Sequence, residues 1–141
     1  MTGENLSCAL PATARSVTEA RRFVTKALRS WGQDALADTA ALLTSEVVTN
    51  AVLHARTPLD VVVRRLADGI SVEVSDGSRT RPQGRRSTVQ STTGRGLALL
   101  EKLAATWDVT MRPNGKTVRF TLVDGADPWA AFTGRDWAVD Q

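Results

Sequence analysis

Cysteine and histidine are nearly absent from this chain of 141 residues, and tyrosine is absent altogether. Cys8 is the only thiol, so no intrachain disulfide can form and a cysteine-ligated metal site is excluded. His54 is the only imidazole, which argues against a structural zinc. No apolar run approaches the roughly 18 residues of a membrane span. The opening segment MTGENLSCALPATARSVTEARR has no basic region followed by an apolar stretch, so it does not read as a secretory signal. The expected compartment is the cytoplasm, with no membrane partner.

What is present fits one globular domain. The hydrophobic fraction of 42% and the charged fraction of 23% are ordinary for such a domain. The length suits one sizeable core. The net charge of +3 is mild but unevenly spread. Between Gly77 and Leu100 there is no acidic residue, while Arg79, Arg81, Arg85, Arg86 and Arg95 fall there. Such a stretch suits a polyanion, either nucleotide phosphates or nucleic acid, and equally suits a solvated loop.

Periodicity gives an order of elements. Ser16 to about Trp31 reads as a helix, with Ser16 and Glu19 in capping-box spacing and Phe23, Ala27 and Trp31 recurring every four residues. Gly32 ends it. A second helix runs from Asp34 to about Ala55, closed by Thr57-Pro58. Leu59 to Leu66 and Ile70 to Val74 read as a hairpin turned at Asp68-Gly69. Gly77 to Thr93 shows no periodicity and is too long for a passive connection. Gly94 opens a third helix, with Leu97, Leu100, Leu103 and Ala104 on one face. Two more strands, Trp107 to Met111 and Lys116 to Leu122, flank the turn Pro113-Asn114-Gly115. A short strand is possible near Leu6 to Leu10. The expected fold is α+β: a two-layer sandwich with a mostly antiparallel, mixed sheet and helices on one face. The expected divisions are an N-terminal segment over 1–15, the domain over 16–123, and a tail over 124–141 carrying Trp129, Phe132 and Trp137.

Four places could carry chemistry. On the second helix, Leu36, Leu43, Val47 and Ala51 form one arc, with Leu42 and Leu53 across from them. Glu46 and Asn50, at i and i+4, then project from a mainly apolar face, where a carboxylate needs a partner. If Val48 and Val52 face the core instead, Glu46 faces water. His54 continues the same row and reads as a packing or helix-end residue. Asp76 sits where an apolar strand meets the long loop, and its carboxylate can accept from an exocyclic amine such as that of adenine. Gly77 beside it allows close backbone approach, although Asp-Gly is also an ordinary turn. Gly94-Arg95-Gly96-Leu97 opens a helix whose free N–H groups suit an anion. Gly115-Lys116-Thr117 enters the last strand, and Thr117 is expected beside Asp76 if the two strands are neighbours.

Order and context join these four. The arrangement resembles the ATPase domain of the GHKL superfamily, shared by histidine kinases, heat-shock-90 chaperones, type II topoisomerases and mismatch-repair proteins. That family carries Glu-x-x-x-Asn on a helix (Glu46 and Asn50), a strand-end Asp (Asp76), a glycine pair opening a helix (Gly94 and Gly96), and a late Gly-x-Thr (Gly115 and Thr117). Its fold is the Bergerat-type ATP-binding fold. SEVVTNAVLHA, GRGLALLEKLA and NGKTVRFTL look most like the small bacterial anti-sigma factors that are also serine kinases.

The resemblance implies ATP and Mg²⁺ as cofactors. Asn50 would hold the Mg²⁺, and Glu46 would be the catalytic base. Asp76 and Gly77 would meet the adenine, with Thr117 supporting Asp76. The amides of Arg95, Gly96 and Leu97 would hold phosphate oxygens, and Arg79 to Thr93 would form a lid. It further implies a sigma factor or an antagonist protein as partner, and a homodimer without direct nucleic-acid binding. One departure stands out. The family motif Asp-x-Gly-x-Gly reads here Asp76-Gly77-Ser78-Arg79-Thr80, lacking both later glycines. A nucleotide-binding module without kinase turnover is therefore the competing reading, and a nucleic-acid binder using the Arg cluster is a third.

Overall fold

The computed structural model describes residues 4–79 and 93–125, with the side chains of 93–97 left aside. The described elements are β1 (Asn5–Leu10), α1 (Arg15–Ser30), α2 (Asp34–His54), β2 (Leu59–Leu66), β3 (Gly69–Asp76), α3 (Thr93–Leu103), β4 (Thr106–Arg112) and β5 (Gly115–Val123). The five strands form one sheet in the order β1-β2-β3-β5-β4. Every pairing is antiparallel, so the sheet is not mixed. The weak strand expected near Leu6 is real, and it pairs along β2.

Alternation in the strands explains the two layers. Leu59, Val61 and Val63 of β2, Ile70, Val72 and Val74 of β3, and Val118, Phe120 and Leu122 of β5 are all buried. Register places these on one face, the face against which the helices pack. α2 lies between α1 and α3 and also meets β3 and β5. The opposite sheet face is polar. There Glu73 takes ion pairs from Arg64 at 3.1 Å and Arg119 at 3.6 Å, and Thr106 shares a 2.7 Å hydrogen bond with Thr121.

α1 begins one residue earlier than expected and without its capping box. Ala14 is the N-cap and makes no side-chain cap bond. Ser16 is instead buried and donates to the Pro11 carbonyl at 2.6 Å. Its hydroxyl therefore fixes the chain leaving β1 rather than the helix end. Gly32 stops α1 as expected, with φ of 74°. α2 is long and apolar enough, by length and composition, to cross a membrane. Here 56% of its apolar window is buried within the protein, which is the behaviour of a core helix. The basic stretch from Thr80 to Gln90, most of the expected lid, and the tail aromatics Trp129, Phe132 and Trp137 lie outside the described residues.

Candidate functional site

α2 supplies the first pair of residues. Leu36, Leu43, Val47 and Ala51 are buried, as the arc predicted. Val48 is buried as completely, because α2 has neighbours on several sides and not only beneath it. Glu46 and Asn50 sit one turn apart on this helix. Asn50 is 9% exposed, and Glu46 is half-buried with no hydrogen bond or ion pair among the described residues. His54 is exposed at the helix end.

The exit from α2 leads directly to the end of β3. Arg56 adopts φ of 57°, a left-handed conformation that normally favours glycine. This reverses the chain so that the Thr57 hydroxyl accepts the Gly77 N–H at 2.7 Å. A Cβ on residue 77 would come within 3.3 Å of the Thr57 side chain. A side chain at residue 77 would press on Thr57, which ties the strand end to the helix end. Thr57 was not singled out from the sequence, where Thr-Pro reads only as a helix stop.

Asp76 ends β3 on the helix-facing side, in register with Leu59 of β2 and Lys116 of β5. Its Oδ1 accepts the Ser78 N–H at 2.8 Å. The Lys116 Nζ lies 3.1 Å from Oδ1 and 3.0 Å from Oδ2. Both side chains are nearly inaccessible, at 7% for Lys116 and 3% for Asp76. The expectation that Thr117 stands beside Asp76 is corrected here. Thr117 pairs with Ser75, and the two hydroxyls share a hydrogen bond of 2.7 Å on the opposite, polar face. Adjacent residues of a strand point to opposite faces. The residue that reaches Asp76 is therefore Lys116, which the sequence reading passed over. Gly115 makes the pairing possible, since a Cβ there would fall on the Asp76 carbonyl oxygen.

α3 packs on α2 through an apolar side that includes Leu100 and Leu103. Its first four residues are Thr93, Gly94, Arg95 and Gly96, and the N–H groups of such positions lack intrahelical partners. Leu97 is the fifth residue of the helix. The described part of the expected lid is Arg79 and Thr93 at its two ends.

A metal would find few ligands here. Among the described residues, no group of three His, Cys, Asp or Glu side chains could hold one. That donor set still fits Mg²⁺, which keeps several waters and is commonly held by one or two protein ligands plus phosphate oxygens. Asn50 offers a neutral oxygen ligand of the required kind.

The described residues form a two-layer α+β fold with an open antiparallel sheet and helices on one face. Residues 10–122 match the family model described as the histidine kinase-like ATPase domain, and the chain belongs to that family. Membership implies ATP binding. A search of curated proteins finds no match.

Proposed function

We propose that the chain is an ATP-binding regulatory protein that acts as an anti-sigma factor and a serine/threonine kinase on a small antagonist protein. The observation that carries the reading is the join between helix and strand: Thr57, just past α2, holds Gly77, so the helix bearing Glu46 and Asn50 is tied to the strand end bearing Asp76. In this reading Asp76 accepts from the exocyclic amine of adenine. The first N–H groups of α3 would hold phosphate oxygens, and the Asn50 side-chain oxygen would hold a Mg²⁺, which would supply charge neutralisation to the transfer. Glu46 takes the proton from the acceptor hydroxyl as that oxygen bonds to the γ-phosphorus. The bond to the leaving phosphate oxygen breaks, and ADP departs. Such a reaction depends mainly on positioning and charge neutralisation.

A second reading, a nucleotide-dependent interaction module without turnover, is favoured by a specific feature. Where the resembling family has glycines, this chain has Ser78 and Thr80, and the Ser78 N–H is already engaged with Asp76. The purified chain, incubated with γ-labelled ATP, Mg²⁺ and partners recovered by pull-down, separates the two. Label on a partner Ser or Thr supports the kinase. Partner capture that depends on nucleotide, with no transferred label, supports the module. Partner capture that ignores nucleotide, with no transferred label, would overturn both.

A further inference from the structure

The Lys116–Asp76 ion pair lies in an apolar row. Across the helix-facing side of the sheet, register aligns Leu10, Leu59, Asp76, Lys116 and Met111. The next row inward is Cys8, Val61, Val74, Val118 and Val109. One charged pair therefore interrupts an otherwise apolar row at the end of the sheet. A lysine is rarely buried to this degree, and a buried ion pair is weak evidence for stability. Well-packed apolar residues would serve folding as well or better. The pair also contains Asp76, assigned above to the adenine, so the ammonium stands on the carboxylate that the purine must reach.

We propose that Lys116 is a base-reading residue, and that Lys116 and Asp76 together form a donor–acceptor edge for a purine. The inference rests on the nucleotide-binding reading of this site. The carboxylate only accepts hydrogen bonds and the ammonium only donates them. Adenine offers a donor amine at position 6 beside an acceptor nitrogen at position 1, which the pair meets with Asp76 and Lys116 respectively. Guanine offers an acceptor oxygen at position 6 beside donors at positions 1 and 2, and the pair meets these with Lys116 and Asp76 exchanged in position. A lone carboxylate leaves the guanine oxygen buried without a donor, and burying an unmatched polar group is costly. Lys116 removes that penalty. The site thus admits GTP as well as ATP, and Lys116 is what admits GTP. The purine displaces no residue from the pair: it inserts its edge, and each charged group exchanges one hydrogen bond to its partner for one to the base.

Equilibrium binding of ATP, GTP and UTP to the full chain with Mg²⁺ tests this. The parent is expected to bind ATP and GTP within about tenfold of each other, and UTP more weakly. Lys116→Met is expected to lose at least about tenfold in GTP affinity relative to ATP, the scale of one hydrogen bond to a charged group. Lys116→Arg, which keeps charge and donors, is expected to restore GTP binding in part. Circular dichroism and thermal unfolding of each variant establish that it is folded. If Lys116→Met proves unfolded, the comparison passes to the parent with 6-thio-GTP, whose sulfur is a weak acceptor and which is expected to bind at least about tenfold more weakly than GTP. A parent that binds ATP but excludes GTP by a thousandfold overturns the inference while leaving the ATP reading intact. So does an unchanged ATP-to-GTP ratio in folded Lys116→Met, or equal affinity of the parent for GTP and 6-thio-GTP. A parent that binds neither triphosphate overturns the nucleotide-binding reading itself.

Discussion

Gly115 holds the strand end together by having no side chain. A Cβ there would fall on the Asp76 carbonyl oxygen, a backbone atom that cannot swing aside. Gly115→Ala must push β5 from β3 just where Lys116 meets Asp76. Overpacking of this kind costs about 1–3 kcal/mol. Urea unfolding is expected to show that loss, and calorimetry is expected to show weakened ATP binding in the same variant. Asp76→Asn makes a different prediction. It keeps shape and packing but removes the negative charge that Lys116 and a base amine require. ATP with Mg²⁺ raises the parent melting temperature by mass action, since a ligand that binds only the native state stabilises it. Asp76→Asn is expected to abolish that rise, and an undiminished rise would remove Asp76 from the base site. On α2, Glu46→Ala is expected to keep nucleotide but lose phosphoryl transfer by roughly 10²–10⁴-fold, the usual worth of a general base. Asn50→Ala is expected to lose the Mg²⁺-dependent part of ATP affinity. Transfer assays and titrations with and without Mg²⁺ check the two. Cys8 takes no part: burial, then Glu19 and Asp60, raise its thiol pKa, so it is a poor nucleophile at neutral pH.

At the scale of elements, the exit from α2 is the feature that folds and functions together. Arg56 carries a left-handed backbone without being glycine, and nothing but the turn from α2 toward Thr57 requires it. For a residue with a Cβ this conformation costs on the order of 1 kcal/mol. Arg56→Gly relieves it, and part of the gain is returned as unfolded-state entropy. Thermal unfolding is expected to show a change between zero and about 1 kcal/mol in favour of the variant, with ATP binding retained. The elements themselves were largely legible in the sequence. β2 reads as Leu59 to Leu66 from its β-branched run and is found over those residues. The period of α2 marked Leu36, Leu43, Val47 and Ala51 as buried but missed Ala37, Ala40 and Val48, and it counted Leu53 in an apolar face although that side chain is exposed, because periodicity assumes one covered face and α2 has more. The Ser16 capping box failed because α1 starts at Arg15, which puts Ser16 inside the first turn, where its hydroxyl donates to the Pro11 carbonyl instead of accepting a helix N–H. The exchange of Thr117 for Lys116 has a sharper cause. A shift of one residue in register sends every side chain to the other face, and the pattern Gly-Lys-Thr does not state which residue faces the helices. Only the pairing of Asp76 with Lys116 settles it.

Over the whole molecule the two surfaces of the sheet are unequal, and so are its two edges. The helix-free face is a polar lattice built on Glu73, Arg64 and Arg119, whose partly exposed ion pairs contribute little to stability. The edge at β1 is different. β1 pairs with β2 on one side, and its residues Asn5, Leu6 and Ser7 are exposed. Leu6 is one of two exposed large apolar residues among those described, at 43%. An edge strand with an exposed apolar residue offers unpaired backbone groups to a second chain. Nearby, α1 shows solvent Arg15, Arg21, Arg22, Lys26 and Arg29 against one acid, Glu19, so that helix repels its own copy and suits an acidic partner. We therefore expect a two-fold homodimer formed along the sheet edge, the commonest symmetry among soluble oligomers, which leaves the basic helix open to a different protein. Light scattering from low to high micromolar concentration is expected to give twice the monomer mass. Leu6→Lys places a charge on the edge, a device by which natural sheets avoid pairing, and is expected to shift the mass toward the monomer. Because the residues proposed for nucleotide binding all belong to one chain and lie away from β1, Leu6→Lys is also expected to keep ATP affinity. A monomer mass at every concentration, with and without ATP, would sink the dimer. A dimer that ignores Leu6→Lys would move the contact away from β1.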